Sequence, residues 1–483
     1  MVDVRPVLVL VGTLLVVLAA AMAPPLLVDL IRGQGAEARM FGVAAGISLV
    51  AGLALRLGMR GLAPRWTVRR IFLAVALGWC VPVPFAALPF VLGPAALPWV
   101  DALFEAAACL TGTGASVLRD IEHLPAGLLL WRGVLNWLGG LGAIGLGVAV
   151  LLLLAVGGAQ IYRLDLLGTA EQAGSRLGRI AALVAGAYVL LTLTLAFGLW
   201  QAGMGGLESW VHALGAVSSG GASTTDASAG HFTNPTIHLL LLLGMLAGGL
   251  PYLLVVRLAR GELAAVAEDG QLRWYLGLVG LGTVAVGAWL LASQGLGLGE
   301  ALRHGAFTVV AVTTGSGYLT LPQGGWGAMP AAILFVLTFV GGCTGSAAGG
   351  VKVFRVRFLF ADALRQLRRL VRPHAVDVAT FDGHAIAPEV PGSVMGFLFV
   401  WALAFAVVSA ALAFQGLDFV GAIGAAAAAL ANGGPILGSG VGAAGGHAAL
   451  PDGAKGLLTA AMLFGRVEML AMLVLFVPAF WKP

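Results

Sequence analysis

Apolar runs long enough to cross a bilayer follow one another along almost the whole chain, at residues 7–28, 40–57, 71–100, 133–162, 180–207, 235–256, 274–299, 305–351, 390–417, 419–451 and 456–481, uncharged but for Arg56 at the end of the second and Arg466 and Glu468 in the last. A bilayer core takes about 20 apolar residues of helix. Several of these runs exceed one crossing and contain Gly-Thr-Ser clusters that interrupt a regular helix. The pattern predicts ten full crossings, near 7–30, 40–59, 70–93, 131–157, 178–203, 236–258, 273–296, 328–354, 393–414 and 455–480. Four half-crossings lie between the third and fourth helices, the fifth and sixth, the seventh and eighth, and the ninth and tenth. Composition agrees: 27 Lys and Arg and 22 Asp and Glu serve 483 residues, and 59% of the chain is apolar. A soluble domain carries charge on roughly one residue in four. A soluble fold, a disordered chain and a nucleic-acid-binding domain are excluded, which leaves an all-α polytopic membrane protein.

Charge orients the spans. Twenty of the 27 Lys and Arg fall on one side of this path and six on the other, while Arg466 alone lies deep within a span. The excess marks the cytoplasmic side, so both termini are expected in the cytoplasm. Ala21-Met22-Ala23 resembles a signal-peptide cleavage site. The apolar run continues through Pro24 and Pro25, however, and outlasts a signal h-region, so the first helix reads as retained. Cys80, Cys109 and Cys343 sit singly in apolar stretches and read as small core residues rather than a disulfide or metal framework.

The half-crossings share one grammar: an acidic residue, a short apolar helix, then a Gly-Thr-Ser turn. Asp101 and Glu105 precede Thr111-Gly112-Thr113-Gly114. Glu208 precedes Ser219-Gly220-Gly221, Glu300 precedes Thr313-Thr314-Gly315, and Asp418 precedes Asn432-Gly433-Gly434. With Gly114, Gly221, Gly315 and Gly434 taken as equivalent, the unit recurs about every 100 residues, and a repeat in sequence signals a repeat in structure. Each unit crosses the membrane an even number of times, so all four point the same way. Four parallel helix–pore-helix–helix repeats in a pseudo-fourfold array would enclose a central pore, with two leading helices outside it. The boundaries read from the sequence are 1–66 for the leading pair, then 67–165, 166–262, 263–372 and 373–483 for the repeats.

Irregular backbone at membrane depth is tolerated where it lines a water-filled cavity or is buried in protein. Glycine lets such a turn aim its carbonyls inward, and four turns would supply rings of oxygens in place of a cation's hydration shell. The acids Asp101, Glu105, Glu208, Asp226, Glu300 and Asp418 are expected to make the outer mouth negative. The competing reading is that glycine-rich turns merely allow close helix packing. Four in register argue against it.

These turns resemble those of the Trk/Ktr/HKT superfamily of potassium transporters, most closely its TrkH-type bacterial branch. Also similar are Trp131-Arg132 through Trp137-Leu138-Gly139-Gly140, Gly158 through Arg163, Gly341-Gly342-Cys343-Thr344-Gly345-Ser346, and Gly465-Arg466-Val467-Glu468 with Pro478-Ala479-Phe480-Trp481. The resemblance covers essentially the whole chain. It implies gated K+-selective uptake across the bacterial inner (plasma) membrane, with K+ held at Thr113, Gly114, Gly220, Gly221, Thr314, Gly315, Gly433 and Gly434. It implies a homodimer, a cytosolic TrkA-type nucleotide-binding regulatory ring as partner, and no organic cofactor on this chain. Gly112 stands where Thr is usual and Ala222 where an aromatic is common. The fourth turn reads Gly-Gly-Pro-Ile-Leu, so the degree of K+/Na+ discrimination stays open.

Residues 341–350 carry five glycines in the eighth span, so that helix cannot stay regular. The resemblance makes this stretch, with Gly345, Ser346, Gly349 and Gly350, a gating loop under the filter. An intramembrane charge is a functional hypothesis by default, and Glu468, two residues away, is on a different helix face from Arg466. Arg466 is therefore expected to face the pore or the loop as an electrostatic barrier; a buried structural ion pair is the alternative. The basic run 352–372 reads as a topological anchor on anionic lipid, and the resemblance adds docking of the cytosolic ring. Gly140 through Gly145 fits G-x-G-x-x-G but sits in an apolar helix with no strand before it, so it reads as packing. No histidine pair has ligand spacing, and no nucleophile–base set points to catalysis. His212, in the second pore helix, is the histidine to test for pH sensitivity. An ion-coupled (H+ or Na+) symporter or a Na+-permeable transporter on the same scaffold is the alternative function.

Overall fold

The protein is described from a computed structural model, which covers residues 3–59, 66–147, 173–372, 380–381, 384–385, 389–434 and 446–482. The matching stretch 158–163 and the end of the fourth turn, 435–437, lie outside the described residues.

The two leading spans pack glycine on glycine. Helices α1 (Arg5–Ala21) and α2 (Ala23–Ile31) follow as one span, because Pro24 and Pro25 fall in the first turn of α2, where no amide hydrogen is missed. Helix α3 (Gly35–Gly58) returns along it. A methyl group on Gly12 or Gly52 would lie 2.7 Å from the other's carbonyl oxygen, so only glycine allows this approach. Asp29, buried near the end of α2, accepts the Gly127 amide at 2.6 Å and ties this pair to the first repeat.

The first repeat comprises α4 (Val68–Cys80) continued by α5 (Pro82–Leu92), then α6 (Trp99–Thr111) and α7 (Ala126–Gly145). The second holds α8 (Ala173–Gln201), α9 (Gly206–Val217), α10 (Pro235–Gly248) and α11 (Tyr252–Ala259). After the short α12 (Leu263–Glu268), the third has α13 (Gly270–Ser293), α14 (Leu298–Thr314), α15 (Ala328–Val340) and α16 (Val353–Val371). The fourth has α17 (Glu389–Phe414), α18 (Phe419–Ala431), α19 (Asp452–Arg466) and α20 (Met469–Leu473), before a last turn α21 (Pro478–Trp481).

Three expected spans are not single rods. The sixth bends by 112° between α10 and α11, where Gly249, Leu250 and Pro251 intervene. The tenth bends by 108° at Val467–Glu468, between α19 and the helical stretch after it. The eighth ends at Val340, passes through an irregular loop and resumes as α16. A two-residue antiparallel pairing, Thr380–Phe381 with His384–Ala385, interrupts the otherwise helical fold.

The four short helices α6, α9, α14 and α18 form the interior. Residues 104–111 and 424–431 are buried without a break, on every face of their helices. The outer helices instead present Phe399, Leu281, Val284 and Leu190 outward. An apolar exterior around a small-residue interior is the arrangement a bilayer demands. The chain is a multi-pass membrane protein with four pore helices in pseudo-fourfold array.

Candidate functional site

The C-termini of the four pore helices meet. Each helix ends by carrying one residue into the left-handed region: Gly112 (φ 70°), Ser219 (55°), Gly315 (86°) and Asn432 (49°). The chain then folds back on its own helix. Thr113 donates its amide to Ala108, Gly220 to Gly215 and Gly433 to Ala428, each at 2.9 Å, and Gly317 donates to Ala311 at 3.2 Å. These bonds satisfy carbonyls that a helix end leaves open. Two residues further on, a second left-handed position recurs at Gly114 (70°), Gly221 (71°) and Gly317 (67°), with Gly434 at the matching place in the fourth turn. The backbone thus pairs Gly317, not Gly315, with Gly114, Gly221 and Gly434. Spacing alone could not choose between two glycines two residues apart.

Turn abuts turn. A methyl group on Gly114 would lie 3.2 Å from the Gly220 carbonyl oxygen, 3.3 Å from that of Ser316 and 4.0 Å from the Gly434 Cα. One point of the first turn therefore touches all three others. On Gly221 a methyl would overlap the Ser316 carbonyl, and on Gly317 it would sit 2.6 Å from the Gly434 Cα. The Gly434 amide donates to Gly315 at 3.2 Å, and Asn432 Nδ2 donates to Thr113 Oγ1 at 3.2 Å. The hydroxyls of Thr111, Thr313 and Thr314 donate to carbonyls one turn back at 2.7–2.8 Å. A hydroxyl that donates inward keeps its lone pairs for another partner. Carbonyl and hydroxyl oxygens crowded around a glycine-walled point suit a hard monovalent cation better than a transition metal. Among the described residues, no cluster of His, Cys, Asp or Glu could hold a metal ion.

Most of the acids expected at the mouth also hold structural partners, and two of them, Glu105 and Asp101, are neutralised by a cation. Glu105 is buried; it accepts Arg132 Nε at 2.9 Å, Ser116 Oγ at 2.9 Å and the Val117 amide at 3.0 Å. Asp101 pairs with Lys455, Glu208 accepts the Gly205 amide, and Asp418 caps α18 at Gly421. Asp226 accepts the Ile121 amide, so of the six only exposed Glu300 has no structural partner among the described bonds. Outside the turns, the Glu122 carboxyl sits below its usual range. A slight burial cost that would raise it is outweighed by hydrogen bonds from its own amide and that of Asp226.

Beneath the turns lies the irregular stretch between α15 and α16. Its amides bond to other repeats: Cys343 to Gly249 at 3.0 Å, Ala347 to Gly248 at 3.1 Å and Gly350 to Ala431 at 2.7 Å. Gln271 Oε1 accepts the Thr344 amide at 2.8 Å, and the Tyr252 amide donates to Gly345 at 3.1 Å. The loop is therefore hydrogen-bonded to the break in the sixth span. A small cavity under it is lined by Gly345, Ser346, Gly349, Gly350, Asn432 and Arg466.

Arg466 is buried and makes no ion pair with a described carboxylate. It reaches the Gly139 carbonyl at 3.4 Å, and its guanidinium carbon is 5.7 Å from the centre of the Trp79 ring. Glu468 pairs instead with Arg355, at 2.7 Å. Sequence reasoning missed four contributors. Asn136 packs against Gly220, Tyr318 donates to the Ala222 carbonyl at 2.6 Å, Arg132 holds Glu105, and Gln271 holds the loop. Polar residues inside apolar runs were the available signal.

A membrane protein in which four re-entrant helix ends converge on a glycine-walled, oxygen-rich point is built like a cation pathway. The family model for TrkH, described as a cation transport protein, matches residues 72–261 and 292–482. The chain belongs to the TrkH family. It is 37% identical to the Trk system potassium uptake protein TrkI of Halomonas elongata, over 99% of this chain and 97% of that one. It is 35% identical to the Trk system potassium uptake protein TrkH of Escherichia coli K12, over 99% of each. The crystal structure of the potassium transporter TrkH from Vibrio parahaemolyticus superposes with a TM-score of 0.90 at 31% identity, covering 100% of both chains.

Proposed function

We propose that this chain mediates potassium uptake across the bacterial inner membrane by gated permeation between its four turns. The observation that carries the reading is the point at Gly114 within 4 Å of each of the other three turns. In this reading K+ is held by carbonyl and hydroxyl oxygens of Thr113, Gly114, Gly220, Gly221, Thr314, Gly433 and Gly434. In the third repeat Ser316 and Gly317 join Gly315. Residues 67–165, 166–262, 263–372 and 373–483 act as the repeats and 1–66 as the leading pair, with both termini cytoplasmic.

The loop with Gly345, Ser346, Gly349 and Gly350 forms the gate. Arg466, with no acid among the described residues to neutralise it, acts as the electrostatic barrier below the turns. The basic helix α16 is the docking surface for a cytosolic nucleotide-binding ring, and the chain works as a homodimer. A membrane negative inside drives each monovalent cation inward by about 2.3 kcal/mol per 100 mV, so permeation alone suffices for uptake.

The test is flux into liposomes holding the purified chain, under K+, Rb+, Na+ and Li+ gradients with the membrane potential clamped. K+ and Rb+ flux well above Na+ and Li+, abolished by Gly317→Asp and raised by Arg466→Ala, is expected. Equal flux of all four ions would remove the selectivity, and flux that tracks a proton or Na+ gradient would make the protein a symporter.

A further inference from the structure

A groove of about 720 Å3 opens on the flank of the first repeat, between α1, the α4–α5 span and α7. Its walls include Leu14, Leu18, Ala74, Trp79, Gly142 and Gly145. Among the described residues they offer no charged group, and apart from Trp66 and Trp79 no polar side chain, so neither an ion nor ordered water has partners on these walls. The walls are membrane-spanning helices, so the hydrocarbon that can fill them is lipid.

Dimensions agree. From Ile71 to Pro82 the groove follows about 16 Å of helix at 1.5 Å per residue. That is half of a hydrocarbon core about 30 Å thick, the depth of one leaflet. At the open end stands exposed Trp66, the residue type that marks a membrane interface. Arg69 follows it at the start of α4, where it donates to the Lys482 carbonyl and keeps its charge as a complement for an anionic headgroup, while Arg70 is paired with Asp3. The inner end is Trp79, Leu110 and Gly139. Those are the ring near Arg466, the end of the first pore helix, and the carbonyl to which Arg466 donates.

We propose that this groove binds one acyl chain of an anionic phospholipid from the leaflet on the Arg69 side, seated against the wall on which Arg466 rests. Binding is independent of the transport reading. Its consequence, that the lipid holds Arg466 in place and so sets cation flux, rests on that reading.

Gly145 allows a direct test, because a Cβ there meets no atom of the described residues within 4 Å, and Gly142 lies beside the Trp79 ring. Native mass spectrometry of the full chain in phosphatidylglycerol is expected to retain one lipid fewer for Gly145→Leu than for the wild type. Gly46→Leu, which adds the same side chain to open space on α3, is expected to match the wild type. Equal counts for all three would overturn the site. Equal retention of phosphatidylcholine would overturn the headgroup preference. Loss of dimer without loss of lipid would assign the groove to a second copy of the chain. If Gly145→Leu does not fold, phosphatidylglycerol with brominated acyl chains provides the second measurement. It quenches wild-type tryptophan fluorescence, and Trp79→Phe is expected to remove part of that quenching; an unchanged fraction would sink the proposal. Flux is read separately, and a lipid lost without any change in flux removes only the coupling to Arg466.

Discussion

The four turns and the loop beneath them are both glycine-rich irregular backbone at membrane depth, yet they are held in different ways. Three of the turns fold back on their own helices through amide bonds of one length, Thr113 to Ala108, Gly220 to Gly215 and Gly433 to Ala428. Cross-turn contacts are then so close that no side chain fits at Gly221 or Gly317. The loop closes on itself through Gly342 to Gly349 and Val351 to Phe339, and it also borrows bonds from Gly248, Gly249 and Gln271 of other elements and from Ala431 of the fourth pore helix. Bonds within a helix end stay made while the helix lasts. Borrowed bonds depend on the lender staying in place, so the loop is the part whose bonding a shift between repeats would change.

The largest expected effect on flux comes from Gly221→Ala. Its methyl would overlap the Ser316 carbonyl at a left-handed φ of 71°. Misfit of about 3 kcal/mol corresponds to roughly a 100-fold loss of cation flux, readable in liposomes. Flux within a few-fold of the wild type would show the turns to be as compliant as the loop.

Next comes Arg132→Met, which leaves Glu105 buried without its cation. Removing one partner of a buried pair costs about 3–5 kcal/mol, seen as a lower thermal unfolding midpoint. Adding Glu105→Gln is expected to recover part of it. If the single variant unfolds like the wild type, the ion pair does not support the first turn.

Gln271→Leu orphans the Thr344 amide at a cost of about 1–3 kcal/mol, confined to the loop. Basal flux is expected to rise several-fold with the ion preference unchanged. A change in preference instead would mean that loop and turns are one mechanical unit.

Smallest is Gly345→Ala, where φ is 76° but nothing lies within 4 Å of the new methyl. Left-handed strain alone, about 1–2 kcal/mol, sets it against Gly221→Ala as the same substitution in opposite surroundings. A loss of flux as severe as that of Gly221→Ala would erase the distinction between the two regions.

Much of this was legible in the residues. Apolar runs of bilayer length and four Gly-Thr-Ser turns prescribe spans and re-entrant repeats, because lipid admits few backbone solutions. The glycines at 341–350 likewise announce an irregular helix, and Arg466 is the one basic residue deep within an expected span. Three things escaped that reading. Gly249-Leu250-Pro251 was hidden in an apolar run, although proline there is a probable helix break. Gly315 and Gly317 were indistinguishable until their φ angles and neighbours paired Gly317 with Gly114. The acids were read as a negative mouth, yet Glu105, Asp101 and Asp418 serve an ion pair or a helix cap.

The sequence by itself determined that this chain spans a membrane many times and turns back four times at glycine, since hydropathy and backbone freedom are properties of neighbours along the chain. Only the tertiary structure decided that Glu468 meets Arg355 rather than Arg466, that the loop hangs on the break in the sixth span, and which glycine of the third repeat faces Gly434. Those are contacts between residues about a hundred apart, chosen by packing across repeats, and periodicity along the chain carries no information about which distant atoms will touch.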